Sequence, residues 1–186
     1  CAAVQYGDPD HLIVMFSSIT SVRKKDFDFK DFARDLPQTI LFLRDNDTRT
    51  GYHNGIEGLS DDIDDTVKFL QYFIGKMKPK RVTMFGTSIG GYAALVHGYL
   101  LGADDIITVG TVSFLDPAVR DALNGAGERI PFAMEGVVNF YRRQGREPRY
   151  LDAWALIEQN ADKVKAVRMY YTPEDDIDTT QTMHVA

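Results

Sequence analysis

The stretch Met84 to Leu95, MFGTSIGGYAAL, constrains this chain more than any other. A β-forming run, Arg81-Val82-Thr83-Met84-Phe85, leads into Gly-x-Ser-x-Gly-Gly and then directly into an Ala-rich, helix-forming segment. A strand that reverses into a helix so abruptly forces two backbones together, and glycines at 86 and 90 leave room for that approach. Ser88 stands at the apex, where the backbone is expected to be strained. The helix beginning there would aim its free N–H groups and positive dipole end at whatever the serine meets.

The rest of the composition narrows what such a turn can serve. The chain has 186 residues, enough for a single domain with a real core. Its net charge is −6, and no basic run exceeds Arg23-Lys24-Lys25. Nucleic acid is therefore not an expected partner, because phosphate contacts need clustered cations. No apolar stretch reaches the roughly 18 residues of a membrane span, so the chain reads as soluble, with its compartment open. The single cysteine, Cys1, rules out an internal disulfide. Neither a metal nor a nucleotide cofactor is implied. "DNDTRTG" lacks the ligand spacing of a calcium loop, and "GTSIGG" has neither a dinucleotide fingerprint nor the lysine of a phosphate loop.

Strand-like and helix-like runs alternate, which predicts a three-layer α/β/α sandwich with a mostly parallel sheet. Five strands are expected, within His11–Ser18, Thr39–Asp45, Arg81–Phe85, Asp104–Val112 and Lys165–Thr172. The spacing of Phe29, Phe32, Ala33 and Leu36 predicts a helix over Asp26–Leu36. A second helix is predicted after Ser60 as N-cap, with Asp61, Asp62, Asp64 and Asp65 facing its positive end. Ser113 to Asp162 reads as a helical, lid-like insertion in a single domain spanning residues 1–186.

The strand, Gly86-Thr87-Ser88-Ile89-Gly90 and the helix together resemble the nucleophile elbow of the α/β-hydrolases. "GTSIGGYAALVHGYLLGAD" is similar to esterase-like members associated with bacterial polysaccharide modification, which carry GxSxGGYAAL…G…LGAD. "LFLRDNDTRTGYHNGIEGL" resembles their RD…WYxxGL.GL segment, with Gly51 standing where Trp is common. The resemblance implies Ser88 as nucleophile, the Ile89 N–H as one oxyanion donor, and a second donor from Ser17 or Ser18 after the first strand. It implies an acid after the fifth strand, where Asp175 and Asp178 both qualify, each also readable as a helix N-cap. The base is open among His53, His184 and a histidine beyond Ala186. His97, in mid-helix, and His11, at the wrong sheet edge, fit poorly. A sheet lacking its last strand, and with it the base, is the expectation that best fits the spacing.

Phe114, Phe132, Phe140, Tyr141 and Trp154 are candidates to line an acyl or sugar pocket or, alternatively, the core. Arg142, Arg143, Arg146 and Arg149 form a local basic patch. The implied activity is cleavage of an acyl ester on a small molecule or carbohydrate, with acyl transfer as a close variant. A catalytically silent binding or accessory module is the alternative from a different class.

Overall fold

The computed structural model describes residues 1–45, 47–124 and 133–186. Six strands form one sheet: β1 (Ala2–Gln5), β2 (Asp8–Phe16), β3 (Gln38–Leu43), β4 (Arg81–Thr87), β5 (Asp105–Val109) and β6 (Ala166–Tyr170). Their spatial order is β1-β3-β2-β4-β5-β6. All neighbours are parallel except β1, which runs antiparallel to β3. β1 is the strand that sequence patterning missed, because Ala-Ala-Val-Gln is too short to show a period. The other five overlap the expected segments; β5 and β6 fall inside theirs, while β2 and β3 begin earlier, at Asp8 and Gln38, and β4 runs on to Thr87.

Alternation along the strands buries both faces of the sheet, as a largely parallel sheet requires. Leu12, Val14, Phe16, Leu41, Leu43, Met84 and Ile106 belong to the main core. Met15, Ile40 and Phe42 point the other way and pack with Ala33, Phe27 and Leu36. Helices α3 (Ile63–Met77), α4 (Ile89–Leu101) and α7 (Ala153–Asn160) contribute to the main core, with Leu70, Leu95 and Leu156 buried in it. α4 is buried from Ile89 through Tyr99, so it carries no polar face.

Two local expectations are corrected. The helix over Asp26–Leu36 is only α2 (Lys30–Ala33), preceded by α1 (Ile19–Lys24), and Phe32 is exposed. Phe29 adopts φ 60°, which breaks the expected helical run just before Lys30. Ser60 is not the cap of α3. Asp62 is, its carboxylate accepting the Asp65 N–H at 2.9 Å, while Ser60 Oγ accepts the Ile56 N–H and bonds Thr66. A carboxylate three residues before a free amide has the ordinary capping reach, and Ser60 lies too early for it.

The 113–162 stretch contains α5 (Pro117–Asn124), α6 (Ala133–Arg143) and α7, and is tied back to the start of α3. Arg146 pairs with Asp62 at 3.0 Å, Arg149 with Asp64 at 2.5 Å, and Tyr150 Oη donates to Asp64 at 2.8 Å. Half of the basic patch is thus matched by the acids at the α3 N-terminus. Beyond it, β6 forms the sheet edge with Val167 and Tyr170 exposed, and leads into α8 (Asp176–Met183). No helix among the described residues is long and apolar enough to cross a membrane.

Candidate active site

Strand register brings the site's parts to one rim. Phe16, the last residue of β2, lies beside Leu43 of β3 and Gly86 of β4. The loops after these strands therefore leave the sheet together, at its C-terminal edge, where open α/β sheets place their ligands.

Ser88 adopts φ 51° and ψ −125°, a backbone conformation that costs a non-glycine residue about 1–3 kcal/mol. Its backbone is held on both sides. The N–H donates to Val109 O at 3.1 Å, and the carbonyl accepts from Gly91, Val112 and Tyr92 N–H at 3.0, 3.2 and 3.3 Å. The glycines around it are explained by contact. A Cβ on Gly86 would strike the Gly90 carbonyl, one on Gly90 the Phe16 carbonyl, and one on Gly91 the Thr111 side chain. Although Ser88 occupies the N-cap position of α4, its side chain makes no capping bond. Ser88 is half-buried, and its hydroxyl is engaged by no other described residue.

The loop after β2 lies against this turn through Gly90. In this structure its amides are already engaged: Ser17 N–H donates to Leu43 O at 2.9 Å, and Ser18 N–H to Asp28 Oδ2 at 2.5 Å. Asp28 is held in place by the Ser21 hydroxyl and by its own N–H on Ser17 Oγ, 3.3 Å away. Ile89, expected as the other donor, opens α4 with its side chain buried, and Gly51 packs on that side chain. Gly51 has φ +52°, and an added Cβ would stand 2.9 Å from Ile89 Cδ1, which accounts for glycine at a position where a large residue cannot fit.

The two candidate acids separate clearly. Asp175 is the N-cap of α8, its carboxylate accepting Ile177 N–H at 2.9 Å and Asp178 N–H at 3.1 Å. It is exposed and committed to the helix. Asp178 is half-buried and leans over the end of β5, with Oδ2 3.1 Å from where a Cβ on Gly110 would sit. It also accepts a long bond from Thr172 N–H at 3.4 Å. Of the two, Asp178 shares the rim with the strand end that binds Ser88 N–H.

None of the four histidines is hydrogen-bonded to Ser88. His11 bonds Thr83 at 2.9 Å, in the row where β2 meets Arg81, far along the strands from the rim. His97 lies buried in α4, with Nδ1 bonded to Ala93 O and the ring stacked on Phe16 at 5.0 Å. Its Nε2 has no partner, and burial holds its pKa down to about 4. His184 binds Asp152 through Nε2 at 2.8 Å and meets Phe114 edge-on at 5.0 Å.

His53 is the surprise. It belongs to the polar Gly/Asn/Asp-rich loop, yet it is fully buried, with Nδ1 2.9 Å from Tyr141 Oη and Nε2 3.0 Å from Tyr92 Oη. Tyr92 Oη also donates to Tyr150 O. A phenol has one proton, so Tyr92 can only accept from His53. The proton therefore sits on Nε2, and Nδ1 accepts from Tyr141. Burial keeps the ring neutral, its pKa lowered to about 3. No short-range pattern signals this, since the two partners lie 39 and 88 residues away in sequence.

Of the expected lining aromatics, Phe114 and Tyr141 are core, Phe140 packs partly buried against that core, Trp154 is partly exposed, and Phe132 lies outside the described residues. A cavity of about 810 Å³ opens within the 113–162 stretch, between Pro117, Val138, Tyr150, Leu151 and Leu156; Ser88 is not among its lining residues. No group of three or more potential metal ligands occurs among the described residues.

Neither a protein-family model nor a curated protein sequence matches the chain. Solved structures do match. A capsule O-acetyltransferase of Neisseria meningitidis serogroup A aligns over 98% of this chain and 74% of its own, with a TM-score of 0.66 and 14% identity. A carboxylesterase of the thaumarchaeon Nitrososphaera gargenis aligns over 99% and 80%, with a TM-score of 0.54 and 14% identity. A chain of the glycosylation associate protein complex of Streptococcus agalactiae aligns over 94% of this chain at 16% identity, with a TM-score of 0.55. This chain spans only 40% of that protein's length. At these identities the likeness is one of fold, and the fold shared is that of the α/β-hydrolases.

Proposed function

We propose that the chain carries an acyl-ester site with Ser88 as its nucleophile, the turn at Ser88 serving as a nucleophile elbow. The observation that carries this reading is Ser88 itself: a non-glycine residue at φ 51°, at a helix start, whose hydroxyl does no capping. Ser88 Oγ would attack the ester carbonyl, form an acyl-enzyme and expel the alcohol. Water would then release the acid, or a second alcohol would take the acyl group. The oxyanion would be held by the Ile89 N–H and by an amide of the loop after β2. Ser18 is the better second donor, because its present acceptor is a side-chain carboxylate, whereas Ser17 donates to a backbone carbonyl of the sheet. Asp178 would be the acid that orients the base. The likeness to an O-acetyltransferase and to a glycosylation-associated chain favours an acyl group on a carbohydrate as substrate.

The reaction also needs a proton acceptor at Ser88 Oγ. His184, already paired with a carboxylate, is the described histidine with most of that character, but its bond is to Asp152 and not to the serine. That arrangement favours the second reading, a hydrolase-fold accessory module without catalysis. A fluorophosphonate probe separates the two. Covalent labelling that disappears in Ser88→Ala, and that free imidazole accelerates by supplying the missing base, supports the enzyme. Absence of labelling with and without imidazole supports the accessory module.

A further inference from the structure

We infer that Tyr52 and His53, with Gly51 beside them, are the positioning residues of this site: three consecutive residues that each grip a different part of it. The inference rests on the reading of Ser88 as nucleophile and goes on to say what holds Ser88 and its oxyanion donors in register. Gly51 packs directly on the side chain of Ile89, the residue after the serine. Tyr52, fully buried, donates its hydroxyl to Ser17 O at 2.7 Å, with Leu43 O at 3.3 Å, and so fixes the loop after β2. Its own N–H is anchored on Asp45 Oδ2 at 2.8 Å. His53 donates to Tyr92, which stands in the first turn of α4, its N–H on the Ser88 carbonyl. Through Tyr141 the same imidazole also holds α6.

The arrangement differs from ordinary core packing in two ways. Every polar atom at the His53 ring is satisfied inside the protein, in a network that joins three segments distant in sequence, and such networks specify one geometry. The three grips also converge on the two elements that must stay in register, the α4 N-terminus and the loop after β2. Displacing a reacting group by about 1 Å can lower a rate about 100-fold. His53 does this work as a neutral donor and acceptor. A glutamine amide has one of each at similar spacing, whereas leucine has neither.

The test compares wild type with His53→Gln, His53→Leu and Tyr52→Phe by two measurements: the rate of fluorophosphonate labelling at Ser88, and amide hydrogen exchange at residues 17–19 and 88–92. His53→Leu is expected to label about 30-fold more slowly or worse, and His53→Gln within about 3-fold of wild type. Tyr52→Phe should speed exchange at 17–19, and His53→Leu at 88–92, with the rest of the sheet unchanged. Unchanged local exchange in both Tyr52→Phe and His53→Leu overturns the inference. So does a Gln variant as slow as Leu at equal thermal stability, because that would make His53 a proton carrier. If wild type itself fails to label, the nucleophile reading falls, while the exchange measurement still decides whether these residues hold the two segments.

Discussion

Two helix starts at the same rim differ in what the residue at the cap position does. At α8, Asp175 turns its carboxylate onto the amides of Ile177 and Asp178. At α4, Ser88 holds the equivalent position and caps nothing, despite a strained backbone. Asp62 and Asp152, at α3 and α7, behave as Asp175 does. Serine is as good a cap as aspartate, so its idleness here has a cause: Asp62, Asp152 and Asp175 have the extended backbone of a capping residue, whereas Ser88, at φ 51° and ψ −125°, does not. Under the proposed function, it is this uncommitted side chain that is available for chemistry.

The contrast is broken most severely at Gly90. Gly90→Ala drives a Cβ into the Phe16 carbonyl, and should lower unfolding stability by on the order of 3 kcal/mol and abolish Ser88 labelling, as read by denaturant melts and the probe. A stable, labelled variant would mean the close approach is not needed. Next comes the pair of acids. Asp178→Asn should slow labelling about 100-fold or more at unchanged melting temperature, while Asp175→Ala should cost about 1 kcal/mol and leave labelling alone. The reverse pattern would exchange their roles.

The smallest effect sharpens the rule, because His97 Nε2 is also unengaged but is sealed in the core. Burial lowers the His97 pKa from 6.5 to about 4, so as pH falls the unfolded chain takes up the proton first. The stability that a neutral His97 represents is present above about pH 6.5 and is lost on acidification toward pH 4. His97→Met should flatten part of that slope in thermal melts across this window and change labelling little. An unchanged slope would mean that His97 does not titrate with unfolding.

Much of this was readable in the chain itself, for reasons specific to each element. The turn at Ser88 was legible because Gly86 and Gly90 answer to contacts within a few residues of sequence, or with the end of a strand already recognisable as one. β2 and β3 were legible because apolar residues on both of their faces are buried. β1 was not, being four residues long and dependent on β3 for its existence. Asp175 and Asp178 could not be told apart, since the choice depends on where Gly110, some 68 positions earlier, comes to rest. The burial of His53 was equally hidden, because a loop rich in Gly and Asn looks solvated until Tyr92 and Tyr141 close over it.

The Tyr141–His53–Tyr92–Tyr150 chain can run in only one direction. An imidazole in water trades freely between its two neutral forms, but here a terminal carbonyl, which can only accept, fixes every proton upstream. The ring is thus frozen as the Nε2-protonated tautomer. Its two nitrogens should give widely separated ¹⁵N resonances, a natural gauge of whether the Tyr150 carbonyl is seated on Tyr92. Any motion that broke the bond from Tyr92 to the Tyr150 carbonyl would free the Tyr92 proton, release the ring and merge the two lines toward an average.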